Sequence, residues 1–411
     1  MNAAAARKGA AAFGFPGGPR HGLRSGIMEI RVLATAEEMA ATRDIRARAF
    51  GPLPDAEWEA TLRRTAPVLA AGRQFAGFDG ERIVATARIH DMTQWWHGRA
   101  VSTGGIGGVT VAPEERGRGL GRRLMTEVLE RCAGFGHALA MLYPATTRIY
   151  RSLGWEHAGA QHTIEIPAEA LRGIAADRVP VRRAGSGDAA EVAAVIGRVH
   201  ASAGDCGPIG WHESMWPAFL DTPDEYCYLA EDGFLAYRWA EGNAALEVIR
   251  AVAASERTLR VLWAIVGSGS STAPTVKACV SPMDPVLWLP GEREKEIVRR
   301  SQWMLRVVDA PAAIEARGYP EGVAAAVPLE IDDPQRPGNS GHWRLEIKDG
   351  AGRLERSRED AAAVRLDVRG LSALYAGVPV ATLRRAGLLG GGDAGALSAA
   401  FAATPFSLDY F

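Results

Sequence analysis

Cysteine is scarce in this chain. Cys132, Cys206, Cys227 and Cys279 stand singly in 411 residues, with no CxxC pair among them. Such spacing excludes a paired-cysteine metal site and a small secreted disulfide framework, and it reads as reduced thiols in a cytoplasmic protein. The histidines form no ligand pair either: His212-Glu213 lacks the second His of a zinc helix. No metal is therefore expected. Long hydrophobic runs are missing too, since no stretch reaches the roughly 18 apolar residues of a membrane span. Charge of one sign is also lacking, with 47 Lys+Arg against 48 Asp+Glu and a net charge of −1. A general attraction to nucleic acid or anionic membrane has no basis.

What the chain does have is 47% apolar and 23% charged residues, the composition of a globular protein with an ample core. Its length exceeds a single domain of about 100 to 200 residues, so two or three domains are expected. Residues 1–27, rich in Ala, Gly, Arg and Pro, lack hydrophobic periodicity and read as a disordered leader without the apolar core of a signal peptide. Met28 opens the strand-like MEIRVL and is an alternative first residue.

The strongest local signal is VTVAPEERGRGLGRRLM, Val109 to Met125. Val109 and Val111 are β-branched strand residues, and Pro113, without an amide donor, ends the strand. Gly117, Gly119 and Gly121 permit unusual dihedrals and close backbone approach. From Leu120, the residues Leu124, Met125, Val128, Leu129 and Cys132 recur at helical spacing, so the turn opens an amphipathic helix. Free amides and the helix dipole favour an anion there. A Walker loop is excluded because Arg122 and Arg123 replace its Lys-Ser/Thr pair. The dinucleotide fingerprint fits poorly because Arg122 stands where its last glycine belongs. Arg-x-x-Gly-x-Gly, Arg116 to Gly121, resembles the pyrophosphate loop of GCN5-related N-acetyltransferases (GNATs), which implies acetyl-CoA. An ordinary connection with solvated arginines is the competing reading. Downstream, ALAML and then YPATTRIYRSLGWEHAG resemble the second half of the acetyltransferase core.

Strands and helices alternate from Ile30 to a strand Thr163–Pro167, a mixed α/β domain assigned to 28–167. Residues 168–298 repeat a helix, two strands and a helix at Glu256–Gly267 without a second copy of the glycine loop, and read as a degenerate GNAT-like domain. Residues 299–411 alternate strands with a short helix as an α+β domain that resembles a sterol-carrier-protein fold. Taken alone, that third domain makes a non-catalytic CoA- or lipid-binding scaffold the rival function.

This order of domains, with the IYRSLGW and WMLRVVDAPAAIEARGY segments and an aromatic terminus at Phe411, resembles the Eis (enhanced intracellular survival) family of N-acetyltransferases. The resemblance implies that Tyr150 protonates the departing thiolate and that the Phe411 α-carboxylate accepts the amine proton. It further implies that Val109, Thr110 and Val111 line the pantetheine arm, and that Arg116, Gly117, Arg118, Gly119, Leu120, Gly121 and Arg122 cradle the pyrophosphate. Ala145 and Thr146 would flank the thioester. Some relatives carry arginine where this chain has Gly117, which shifts phosphate binding toward backbone amides. The family acts on small-molecule amines, aminoglycoside-like or polyamine-like, and assembles as hexamers. Phe50, Asp55 and Trp58 are candidate acceptor contacts, with simple core packing as the alternative for Phe50 and Trp58.

Chemistry bears on both roles independently. A phenol near pKa ~10 is well placed to protonate a thiolate whose acid has pKa ~8.5. A terminal carboxylate near ~3.5 is a poor base for an ammonium near ~10 unless burial raises it or water relays the proton.

Overall fold

The computed structural model describes residues 28–291 and 297–411. The leader expected at 1–27 lies outside the described residues. The first domain carries strands β1 (Glu29–Val32), β2 (Gln74–Asp79), β3 (Arg82–Trp96), β4 (Arg99–Val111), β5 (Leu139–Leu142) and β6 (Glu156–Pro167). Its helices are α1 (Ala36–Ala40), α2 (Arg43–Phe50), α3 (Asp55–Ala70), α4 (Leu120–Gly134) and α5 (Thr147–Arg151). α3 continues through Pro67 to Ala70. Trp95 and Trp96 end β3, and Trp96 is fully buried.

The second domain contains α6 (Ala168–Arg172), β7 (Arg182–Arg183), α7 (Ala189–Ala203), β8 (Cys206–Trp211), α8 (Trp216–Leu220), β9 (Glu225–Ala230), β10 (Gly233–Ala240), β11 (Ala245–Ala253), α9 (Glu256–Gly267) and β12 (Thr275–Val280). A further strand, β13 (Ile297–Val307), inserts between β5 and β6 by antiparallel pairing to both. One continuous sheet results, in the order β1-β2-β3-β4-β5-β13-β6-β12-β11-β10-β9-β7. Residues far apart in sequence thus complete the first domain: β13 closes its sheet, and β8 pairs with β3.

The third domain forms a separate five-stranded sheet from β14 (Ala325–Asp332), β15 (Gly341–Lys348), β16 (Ala351–Arg356), β17 (Val364–Asp367) and β18 (Gly390–Gly391). The junction is tightly built. Trp96 meets Tyr375 edge-on at 5.1 Å, while Arg306 of β13 bonds Asp333 at 2.7 Å with both side chains fully buried. A buried ion pair of this kind fixes geometry more surely than it adds stability. The chain then returns to the large sheet, where a two-residue strand, β19 (Phe406–Ser407), pairs with β6 in parallel.

Candidate active site

β4 and β5 run in parallel only from Thr103↔Leu139 to Ile106↔Leu142. Beyond Ile106 they part, because β4 carries an extra residue opposite β3: Arg88 faces Gly107, whereas Thr86 faces Thr110. Such a bulge bends the strand. Gly108 sits there at φ +60°, a conformation suited to glycine. A cavity of about 840 Å³ opens where the strands separate.

The glycine loop expected to hold phosphate follows the end of β4. Gly117 and Gly119 adopt φ +82° and +79°, and open space surrounds the position of a Cβ at either one. Gly119 precedes α4, which has no side-chain cap and no acidic residue in its first turn. The amides of Leu120, Gly121 and Arg122 thus have no helical acceptor. Leu124, Met125, Val128, Leu129 and Cys132 are buried, as their spacing requires. Two of the arginines are already engaged. Arg118 pairs with the buried Glu115, which also holds Arg82, and Arg122 donates to Ser152 Oγ at 2.7 Å. This fits a diphosphate held mainly by backbone amides, the arrangement that glycine at 117 leaves open.

Val109, Ala145 and Tyr150 line the large cavity. Thr110 is buried beside β3, its hydroxyl donating to the Gly108 carbonyl at 3.3 Å, and Thr146 precedes α5. Tyr150 is 6% exposed and packs edge-on to Trp155 at 6.5 Å. Burial raises its pKa, so its hydroxyl keeps the proton throughout the neutral range.

The C-terminus enters the same cavity. Phe411 lines it, boxed by the rings of His90, Tyr143 and Trp211 at 5.7, 5.8 and 5.8 Å. Tyr143 donates to the Asp409 carbonyl at 2.6 Å, and Trp211 Nε1 to the Asp409 carboxylate at 2.9 Å. Arg250 also bonds that carboxylate. Three elements distant in sequence therefore anchor a tail that local sequence would leave frayed.

Of the candidate acceptor contacts, Phe50 lines the cavity and is 61% exposed. Asp55 and Trp58 do not reach its wall. Asp55 points to solvent in a 2.5 Å pair with Arg43. Trp58 is buried beneath Arg43 and Arg46, whose guanidinium carbons lie 5.8 and 5.9 Å from its ring. Phe50 ends α2 and Trp58 belongs to α3, so the two share no helical face: Trp58 packs in the core and Phe50 does not. Sequence reading missed the opposite wall, to which the second domain contributes Trp211, Glu225 and Arg250. Nothing local marks those residues.

A strand, glycine loop and uncapped helix beside parting parallel strands define the class of acyltransferase that takes its donor as a coenzyme A thioester. Acetyltransferase (GNAT) domain families match residues 29–158 and 207–307, and a sterol carrier protein domain family matches 310–407. The crystal structure of a GCN5-related N-acetyltransferase from Kribbella flavida superposes with a TM-score of 0.87 at 44% identity, covering 93% of this chain and 99% of that one. N-acetyltransferase Eis of Mycobacterium tuberculosis is 27% identical over 80% of this chain and 83% of its own. Eis1 of Mycobacterium abscessus shares the fold, with a TM-score of 0.72 at 23% identity over 93% of this chain and 100% of that one. The chain belongs to the GCN5-related N-acetyltransferases, with two GNAT-type domains followed by a sterol-carrier-type domain, and over most of its length it is similar to the Eis enzymes. It is an N-acetyltransferase, which sets aside the reading as a non-catalytic scaffold.

Proposed function

We propose that the chain transfers the acetyl group of acetyl-CoA to a primary amine of a small molecule, with Tyr150 as general acid and the Phe411 α-carboxylate as general base. The observation that carries this reading is the meeting of the two groups: Tyr150 and the docked C-terminus line one cavity at the point where β4 and β5 part. Acetyl-CoA supplies the activated acyl group. Residues Gly117 to Arg122 hold its diphosphate, Val109 to Val111 run beside the pantetheine arm, and Ala145 and Thr146 flank the thioester.

The proton inventory follows from the environment. An attacking amine must be neutral and sheds a proton on acylation, while the leaving thiolate must gain one. The desolvated phenol of Tyr150 holds a proton it can give to that thiolate. The Phe411 carboxylate forms no ion pair among the described residues, and it sits among aromatic rings. The resemblance to the family further supports a cytoplasmic homo-oligomer, a hexamer, with functional divisions at 28–167, 168–298 and 299–411. β13 would then be lent by the third segment, whose first residues reach back into the large sheet.

The test is thiol release from acetyl-CoA against a panel of aminoglycosides, polyamines, arylamines and amino acids. Release above thioester hydrolysis with at least one amine is expected. None with any amine would overturn the assignment.

A further inference from the structure

The cavity's first-domain wall holds hydrogen-bond donors that nothing in the chain satisfies. Arg88, on β3, packs its guanidinium against Gly107, the first residue beyond the last β4–β5 pair. Its Nε donates to His90 Nε2 at 3.0 Å, but its Nη1 is buried with no partner. Accepting that bond leaves the proton of neutral His90 on Nδ1. That atom is also buried and unpartnered in a residue only 5% exposed. Arg46 lies against Gly108 with its Nε buried and unsatisfied. Neither arginine has an ion pair among the described residues, and Arg64, also on the cavity wall, has none either.

These groups repel one another. Burial first, then Arg46 and Arg64, push the Arg88 pKa down to about 9. Burial and Arg88 hold His90 well below the ordinary imidazole value. A buried cation without a counter-ion is costly, and in a binding site its natural complement is an anion. The opposite wall is different. Glu225 Oε2 and Asp409 Oδ2 are buried acceptors without partners there, although Arg238 and Arg250 neutralise the two carboxylates.

We propose that Arg88, Arg46 and His90 form an anion subsite at the apex of the acyl-transfer cleft, which takes a carboxylate carried by a reactant, so that the preferred acceptor is an amino carboxylate and not a polycation. This rests on the acetyltransferase reading and narrows it. An amine with a carboxylate can satisfy the guanidinium wall with one end and present its nitrogen toward the terminal residues with the other. Aminoglycoside-like and polyamine-like acceptors would bring more positive charge to a wall that already has an excess. The same chemistry could come from a carboxylate on the acyl group, as in a dicarboxylic acyl thioester.

Matched pairs decide between these sources: an α-amino acid and the amine left on its decarboxylation, each assayed with acetyl-CoA and with succinyl-CoA in wild type, Arg88→Gln and Arg88→Lys. The expected result is kcat/KM for the amino acid on the order of 100-fold above its decarboxylated partner, a preference that Arg88→Gln abolishes and Arg88→Lys partly restores. Faster use of succinyl-CoA than acetyl-CoA with either member of a pair, lost in Arg88→Gln, places the anion on the donor and overturns the acceptor assignment. Equal use of both members of each pair overturns the subsite. So does a uniform loss in Arg88→Gln, which would make Arg88 a partner of the chain's own terminal carboxylate. If no amine releases thiol, the acetyltransferase reading fails. The subsite is then judged by calorimetry with the amino acid alone, where equal affinity in wild type and Arg88→Gln removes it.

Discussion

The two GNAT-type domains share a frame and differ at one helix end. β11 pairs in parallel with β12, as β4 does with β5, and α9 occupies the place of α4. In the first domain, eight residues separate β4 from α4, two of them glycines in left-handed conformations. In the second, only Ala254 and Ser255 separate β11 from α9. Ser255 Oγ accepts from the Thr258 amide at 3.3 Å, and Glu256 stands in the first turn. The second domain thus fills with its own side chains the position where the first leaves amides for a phosphate. A shorter turn, a cap and one acidic residue distinguish the two helix entries on a common frame, and the second domain forms the far wall of its neighbour's cavity.

Tyr150→Phe should break the first domain's side of this contrast most severely. It removes the acid while keeping the ring's packing, so kcat should fall on the order of 100-fold with the acetyl-CoA KM nearly unchanged. An equal fall in acetyl-CoA binding would assign Tyr150 a packing role instead. The pH profile follows from its raised pKa. The phenol stays protonated below its ordinary value of ~10, so kcat/KM should rise as the acceptor amine loses its proton and show no alkaline decline before about pH 10. A decline near pH 8 would count against Tyr150.

Residues appended after Phe411 should lower kcat by roughly 10-fold or more, since they remove the carboxylate from its place among the rings without touching the phosphate loop. Full activity in a C-terminally extended protein would exclude the terminal base. Gly117→Asp makes the first loop resemble the acidic helix entry of the second domain. Open space surrounds that site, but its φ of +82° strains any side chain, so Gly117→Ala is the control: acetyl-CoA KM should rise about 10-fold more in Gly117→Asp than in Gly117→Ala, with kcat little changed.

Smaller effects are expected away from the chemistry. Glu156, next to α5, bonds Arg151 at 2.7 Å and Arg369 of the third domain at 2.6 Å. Burial raises its pKa, but those bonds and the His157 amide outweigh it and hold the carboxyl below its usual range. Its contribution is therefore present above the unfolded-state pKa and is lost as pH falls through the folded value. Glu156→Gln should cost about 2 kcal/mol at neutral pH, as both arginines are part-exposed, and the gap from wild type should close below about pH 4. Denaturant melts at both pH values would measure it. Ser255→Ala should cost only about 1 kcal/mol, the worth of a helix cap, and leave turnover unchanged. A changed acetyl-CoA KM in that variant would mean that the second domain still takes part in cofactor binding.

The strand, glycine turn and uncapped helix were legible in sequence because they are contiguous: strand, proline, glycines and helix succeed one another within Val109 to Met125. Tyr150 and the aromatic terminus were likewise recognisable as local patterns. Asp55 and Trp58 misled, since a helix near an active site presents most of its residues to solvent or core, and spacing alone does not say which face points inward. The unmatched donors of Arg46, Arg88 and His90 were invisible, because an arginine's need for a partner depends on what surrounds it in space.

The sequence by itself determined the acetyltransferase class, the glycine turn that opens α4 and the three-part order of domains, all of which rest on hydrogen bonding and periodicity between near neighbours. Only the tertiary structure decided that β13 completes the first sheet, that β8 and the second domain wall the cavity, and that the last residues enter it. Those pairings join positions up to hundreds of residues apart. Burial and strand register settle them, and neither is written in any one segment.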